Sequence, residues 1–264
     1  MSWTSDGRLL ASASGDKSAR VWDSVSGRQL MLMRGHTDRV WNVAWSPDGT
    51  RLATCGADRT ARIWNPGNAE EISVLRGHAS DVCALNWSPD GARIATASSD
   101  GTARLWDVNP RGGERLQFAG HQAPVRTLAY RAPSERHGTR SPGLLVTGSD
   151  DRTLRVWDAE TAEPMDTITG HDDAILDATL SPQGLVTTSS DRTVRLWSGP
   201  VHGQPRAVIP YTSGIPEAVA GVDLPCRDPD RGGQGEENLQ HYLGHRRPPI
   251  LESCPTSVDR RSQP

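Results

Sequence analysis

A chain of 264 residues with 35% apolar and 5% aromatic side chains and a mean hydropathy of −0.57 is too polar to offer the run of about 20 apolar residues a membrane-spanning helix needs. Its 29 basic and 32 acidic side chains leave a net charge of −3, which argues against nonspecific nucleic-acid binding by bulk charge and leaves room for a local basic face. The four cysteines (Cys55, Cys83, Cys226 and Cys254) do not form a secreted disulfide framework; Cys55 and Cys83 fall in expected strands and read as small buried apolar residues. The start MSWTSDGRLLASASG lacks the basic region of a signal peptide, so a cytoplasmic protein is expected, or a nuclear one in a cell with a nucleus.

In chain order, Arg8–Ala13 (RLLASA) and Ser18–Asp23 (SARVWD) read as short strands joined by a turn at Gly15-Asp16, and Arg28–Met33 as an outer strand. An innermost strand should precede Ser5-Asp6-Gly7. Only Met1–Thr4 stand there, with Trp3 at the position later held by Trp45 and Trp87. Residues 35–76 form a complete unit. Val40–Trp45 alternates Val, Asn and Ala with Trp, Val and Trp, as a strand packed on two faces does. Ser46-Pro47-Asp48-Gly49 is a turn, since proline presets φ and glycine permits a positive one. Arg51–Cys55, a tight turn at Ala57–Arg59, Thr60–Trp64 and an outer strand at Glu71–Leu75 follow.

Residues 77–119 repeat this plan, with Ser88-Pro89-Asp90-Gly91 as the turn. In residues 120–169 the polar stretch Arg131–Pro142 (RAPSERHGTRSP) replaces that turn and is expected to be a surface loop. Residues 170–209 are the last unit, with a turn at Ser181-Pro182-Gln183-Gly184 and an outer strand at Gln204–Ile209. From there the tail 210–264, rich in Pro, Gly, Arg, Asp and Glu, lacks the apolar residues to offset its ordering entropy and is expected to be disordered.

The units are copies of one phrase. Gly35–Asn65 reads GHTDRVWNVAWSPDGTRLATCGADRTARIWN, and Gly77–Asp107 reads GHASDVCALNWSPDGARIATASSDGTARLWD. The closing tryptophans Trp22, Trp64, Trp106, Trp157 and Trp197 are 42, 42, 51 and 40 residues apart. A fixed period near forty residues, opening on Gly-His and closing on Trp-Asp, resembles the WD-repeat family over about residues 2–209. The resemblance implies an all-β fold, a β-propeller of four-stranded antiparallel blades, with five blades visible near 1–34, 35–76, 77–119, 120–169 and 170–209 and the first incomplete. The family most often closes seven, so an open or truncated ring is expected, with marginal stability or self-association through its blade edges. A monodisperse monomer with a sharp, reversible melt contradicts that expectation.

Each complete unit holds a His, a Thr, an Asp and a Trp in the same order, with the hydroxyl-to-Asp step always four residues and the Asp-to-Trp step always six. The sets are His36, Thr54, Asp58 and Trp64; His78, Thr96, Asp100 and Trp106; His121, Thr147, Asp151 and Trp157; and His171, Thr187, Asp191 and Trp197. The first unit keeps Ser12, Asp16 and Trp22. Hydroxyl, imidazole and carboxylate together invite a hydrolase reading, but catalysis needs one set and the chain has one per unit. The resemblance implies instead a structural hydrogen-bonded tetrad tying the Gly-His loop to the middle strands.

Other matches fail. Gly15-Asp16-Lys17-Ser18 lacks the earlier glycine of a phosphate loop, Asn86-Trp87-Ser88 is a sequon inside an inner strand, and Cys226, His241, His245 and Cys254 fit no compact zinc module. Arg246-Arg247-Pro248-Pro249 reads as a solvated stretch of the tail. No cofactor, metal or catalytic residue is expected.

Propellers of this family commonly receive partners on the face carrying the Gly-His loops. The resemblance places there Arg39 and Trp41, Asp81 and Cys83, Pro124 and Arg126, Ala174 and Leu176, and the residues before each tetrad Asp, namely Gly15, Ala57, Ser99, Asp150 and Ser190. Trp41 stands out because its counterparts are Cys, Arg and Leu, so the repeat does not demand a tryptophan, whereas interface anchors are often Trp or Arg. The alternative is that Trp41 fills a gap in the central channel. The expected function is a non-enzymatic scaffold presenting loops to protein or peptide partners, with Arg39, Trp41, Asp81, Arg126 and Asp150 as the candidate face. A second reading is the propeller part of a larger enzyme such as a protein kinase.

Overall fold

The computed structural model describes residues 1–109, 113–131, 133–136, 139–181, 184–197 and 205–210. The chain divides into Met1–Gly221 and Val222–Pro264. All the sheets belong to the first unit, and the second lies outside the described residues, as do the expected disorder of the tail and the Cys226, His241, His245 and Cys254 set.

Every described regular element is a strand. The first blade contains β1 (Ser2–Trp3), β2 (Leu9–Ala13), β3 (Ser18–Asp23) and β4 (Gln29–Arg34), and the second β5 (Val40–Trp45), β6 (Leu52–Gly56), β7 (Thr60–Asn65) and β8 (Glu70–Arg76). The third contains β9 (Val82–Trp87), β10 (Arg93–Ser98), β11 (Thr102–Asp107) and β12 (Glu114–Ala119). The fourth contains β13 (Val125–Arg131), β14 (Ser134–Arg136), β15 (Thr139–Ser141), β16 (Leu144–Ser149), β17 (Leu154–Asp158) and β18 (Pro164–Ile168). The fifth contains β19 (Ile175–Ser181), β20 (Gly184–Ser189), β21 (Thr193–Trp197) and β22 (Pro205–Pro210). Each blade is a four-stranded antiparallel meander; β14 and β15 form a separate hairpin.

That hairpin lies within Arg131–Pro142, the stretch expected to be a surface loop, and adds strand pairing that the sequence reading did not include. Strand β13 runs to Arg131, and a chain leaving and re-entering neighbouring strands can satisfy its backbone groups by pairing with itself. The turn expected at Ser181-Pro182-Gln183-Gly184 has Pro182 and Gln183 outside the described residues, while Ser181 and Gly184 pair across its ends.

The core lies between blades. Ala11, Val21 and Met33 of the first blade cluster with Val43, Trp45, Leu52 and Trp64 of the second. Ala53, Ile63 and Leu75 cluster with Val82, Leu85, Trp87 and Ile94 of the third, and the remaining two junctions follow suit. Because neighbours cover both faces, β6 (LATCG) is buried at every residue and needs no polar alternation. Each large side chain so enclosed contributes about 1.5–3 kcal/mol, so stability builds up junction by junction. No described strand of the first blade pairs with the fifth, and no described cluster joins them, so the described blades form an open array.

The first blade is also thin. β1 has two residues, and Trp3 is 56% exposed where Trp45 is 7% and Trp87 4% exposed. Trp87 donates its indole N–H to the Ala44 carbonyl at 3.0 Å, whereas the buried Nε1 of Trp45 has no hydrogen-bond partner among the described residues. At the outer edge the register slips by one residue beside the closing tryptophan in every blade. The extra residue is pushed outward, which places Leu30, Ile72 and Met165 among the exposed apolar side chains and bends an edge that would otherwise invite pairing.

Candidate functional site

The repeated polar sets assemble in one geometry. In the second blade Trp64 Nε1 donates to Thr54 Oγ1 at 2.8 Å, Thr54 Oγ1 lies 2.8 Å from His36 Nε2, and His36 Nδ1 lies 2.8 Å from Asp58 Oδ2. With the indole donating to it, the hydroxyl gives its own proton to Nε2, which places the imidazole proton on Nδ1, facing the carboxylate. Asp58 also accepts from the Thr37 amide at 3.1 Å, the Thr60 amide at 3.1 Å and the Thr60 hydroxyl at 2.7 Å, so it caps the β6–β7 turn while holding the Gly-His loop. The same indole-to-hydroxyl bond recurs at 2.8 Å for Trp106–Thr96 and at 2.9 Å for Trp157–Thr147 and Trp197–Thr187. The carboxylates of Asp100, Asp151 and Asp191 meet His78, His121 and His171 at 2.9, 2.8 and 2.7 Å. Gly35 permits this packing, since a Cβ there would come 2.9 Å from both the Trp64 ring and the Arg62 guanidinium.

Electrostatics fix the charge state. Burial lowers the pKa of all four imidazoles, more than the neighbouring carboxylates raise it, so the rings are neutral. Burial works to raise the carboxyls, but the Thr hydroxyls, loop amides and imidazoles outweigh it. They lower Asp58 and bring Asp100, Asp151 and Asp191 down to about 2. The Thr oxygens at the centre of these sets are fully or almost fully buried and bonded on two sides, an arrangement that offers no free nucleophile.

The first blade shows what replaces the missing histidine. Trp22 still donates to Ser12 at 2.8 Å, and Asp16 still caps its turn through Ser18, but Arg20 takes the carboxylate oxygen that His holds elsewhere, at 2.6 Å. The equivalent Arg62 lies 3.4 Å from Asp58 and 2.5 Å from Glu71. Sequence reasoning missed these arginines, although one stands two residues before every closing tryptophan: Arg20, Arg62, Arg104, Arg155 and Arg195.

The expected partner-facing residues sit at the same end of the blades. The two groups named from the sequence are bonded to each other through the backbone. Ala57, Ser99, Asp150 and Ser190 donate their amides to the carbonyls of Arg39, Asp81, Pro124 and Ala174 at 2.8, 2.9, 3.0 and 2.9 Å. Just inside each such bond the inner strand carries a β-bulge, and the extra residues are Trp41, Cys83, Arg126 and Leu176. A bulge turns its residue out of the ladder. Trp41 is thereby left 46% exposed, its Nε1 donating to Asp81 Oδ2 at 3.3 Å and its ring 6.0 Å from the Arg39 guanidinium. Arg126 makes a fork on Asp150, with Nε to Oδ1 at 2.9 Å and Nη2 to Oδ2 at 2.5 Å. Cys83, expected as a buried apolar residue, is instead half-buried, with its thiol 3.2 Å from the Ser99 hydroxyl and 4.0 Å from Arg126. Arg39, Trp41 and Asp81 thus form one string and Arg126 and Asp150 another, with Cys83 beside the second. Among the described residues no group of three or more His, Cys, Asp or Glu is placed to hold a metal.

An array of five four-stranded antiparallel blades, the last four each locked by an indole–hydroxyl–imidazole–carboxylate chain, defines a propeller-type repeat protein. Comparison with known proteins agrees: the family model described as "WD domain, G-beta repeat" matches residues 1–23, 27–65, 69–107, 112–158 and 162–198. The chain belongs to the WD-repeat family, whose members generally mediate protein interactions and are generally non-enzymatic. It is 33% identical over 75 residues to nuclear distribution protein PAC1-2 of Postia placenta, a match covering 24% of this chain and 18% of that protein. It is 39% identical over 56 residues to mRNA export factor GLE2 of Chaetomium thermophilum, covering 21% of this chain and 14% of that protein. The matched segments therefore span less than a fifth of either relative.

Proposed function

We propose that the chain is a non-enzymatic scaffold that receives a protein or peptide partner on the loop end of blades 2 to 4. The observation that carries this is the row of inner-strand bulges, which presents Trp41 and Arg126 outward at the same end and steadies them through Asp81 and Asp150. A half-exposed indole pinned by one hydrogen bond is already ordered, so a partner covering it loses little side-chain freedom. The saturation of every tetrad hydroxyl supports the non-enzymatic part of the reading. The two relatives share the repeat and carry unrelated names, so the proposal takes from them repeat-mediated protein binding and neither nuclear distribution nor mRNA export.

Trp41→Ala tests the proposal. The indole is largely outside the core, so the melting temperature should stay within a few degrees, while retention of a native partner in quantitative affinity purification should fall about tenfold or more, as for an anchor worth about 2 kcal/mol. Unchanged retention of every partner with Trp41→Ala removes the residue on which the reading depends.

A further inference from the structure

Five cations gather at the loop end of blades 1 and 2. Lys17 and Arg59 occupy the turns between second and third strands, Arg34 and Arg76 end β4 and β8, and Arg39 leads into β5. All five are exposed, and none joins an ion pair among the described residues. Arg59 and Arg76 line a cleft of about 530 Å³ together with Thr37, Asp38 and His78. The position of Arg76 is held by Ala119 in the third blade, whereas the position of Arg59 carries a cation in every blade but the third, where Gly101 stands. Lys17 and Arg59 also hold φ of 72° and 65°, in the left-handed region where Gly101 sits at 83° and where a side chain adds strain.

The nearby carboxylates are mostly engaged. Asp16 is held by Arg20 and Ser18, Asp58 by its tetrad, and Asp81 by Trp41, while Asp38 accepts the Arg39 amide. Exposed positive charge thus concentrates on one end of a chain whose net charge is −3. Such a local field attracts an acidic ligand and orients it before contact.

Resting on the reading that this end receives a partner, we infer that the loop end of blades 1 and 2 docks an acidic peptide segment. Its carboxylates pair with Arg59 and Arg76 in the cleft and with Lys17 and Arg34 beside it, and an apolar side chain lies against Trp41. A peptide fits better than single-stranded nucleic acid. Asp38 lines the cleft together with Arg59 and Arg76, and Asp81 sits at Trp41, so a continuous phosphate backbone would meet negative charge at both places. A peptide places its charges at discrete points. Trp41 also offers one aromatic surface rather than the succession that stacks bases.

The test measures fluorescence anisotropy of labelled polyglutamate, a labelled Gly-Ser peptide and labelled oligothymidylate against the full chain. Polyglutamate should bind about tenfold or more tighter than either other probe and weaken as salt is raised. Arg59→Glu with Arg76→Glu should reduce that binding about tenfold at an unchanged melting temperature, because neither side chain makes an ion pair among the described residues. Arg152→Glu with Arg192→Glu, cations in the equivalent turns of blades 4 and 5, should leave it unchanged. Equal binding of all three probes, tighter binding of oligothymidylate, or equal sensitivity to both double variants overturns the inference. If Trp41→Ala releases a native partner while Arg59→Glu with Arg76→Glu affects neither partner nor probe, the partner face stands and its acidic ligand falls.

Discussion

Replacing Asp58 by alanine should destabilise the protein by about 3 kcal/mol, read as a lowered midpoint in urea denaturation. One carboxylate accepts from the Thr37 and Thr60 amides, the Thr60 hydroxyl and the His36 ring, and lies 3.4 Å from Arg62. Alanine leaves the His36 Nδ1–H without an acceptor in a site closed to water, and a donor stranded in this way costs more than the net worth of the bond it lost. Asp58→Asn should cost less, about 1 kcal/mol, because an amide oxygen can keep the turn cap while the charge is lost. Asp100→Ala should match Asp58→Ala in size, since the third blade repeats the geometry. Equal losses in two blades are what a structural tetrad predicts. An unchanged midpoint in either variant would contradict it.

Mild acid should unfold the protein well before its carboxylates titrate. The four tetrad histidines have folded pKa values below the ordinary 6.5 because burial disfavours their charged form. As the pH falls below 6.5 the unfolded chain takes up protons that the folded chain refuses, so stability is full above that value and is lost on going down. Each such histidine contributes at most about 1.4 kcal/mol per pH unit, and four acting together about 5. The tetrad aspartates have the same sign: their pKa values are lowered from 3.8, to about 2 for Asp100, Asp151 and Asp191, so their contribution is present above 3.8 and lost toward 2. Denaturant midpoints should therefore fall steeply between pH 6.5 and pH 5. Midpoints that stay flat or rise over that interval would show that the imidazoles accept protons in the folded state.

The blade plan was legible because the residues that build it recur in register. The step from Gly-His to a closing tryptophan marks each complete meander, and Ser-Pro-Asp-Gly marks its far turn at residues 46–49 and 88–91, where Gly49 and Gly91 take φ of 70° and 67°. The tetrad members could be listed because Thr and Asp keep their distance from each closing tryptophan and His follows each opening glycine, and the family resemblance joined them into one network. The bulges could not. An extra residue in a ladder depends on which backbone groups pair, and Val40–Trp45 alternates as regularly as an unbulged strand does. Hence Trp41 was identified by its oddity among Cys, Arg and Leu, while the reason it faces outward required the pairing itself. Cys83 was misjudged for the same cause: it sits at the bulge of β9, so its side chain leaves the core that a regular strand would have given it. The hairpin β14–β15 escaped because its stretch is polar and carries no apolar alternation, the signal by which a half-buried strand is read. The turn cations Lys17 and Arg59 escaped because a left-handed residue is recognisable in sequence chiefly when it is glycine.

The most direct test of the partner face is a position-resolved cross-linking scan in native lysate. A photoreactive amino acid is placed in turn at Trp41, at Arg126, and at Asp48 and Asp90 in the opposite turns. The account predicts one discrete cross-linked polypeptide shared by positions 41 and 126 and absent from positions 48 and 90. The same product at positions 48 and 90 but not at 41 or 126 would place the partner on the other end of the blades and contradict the account.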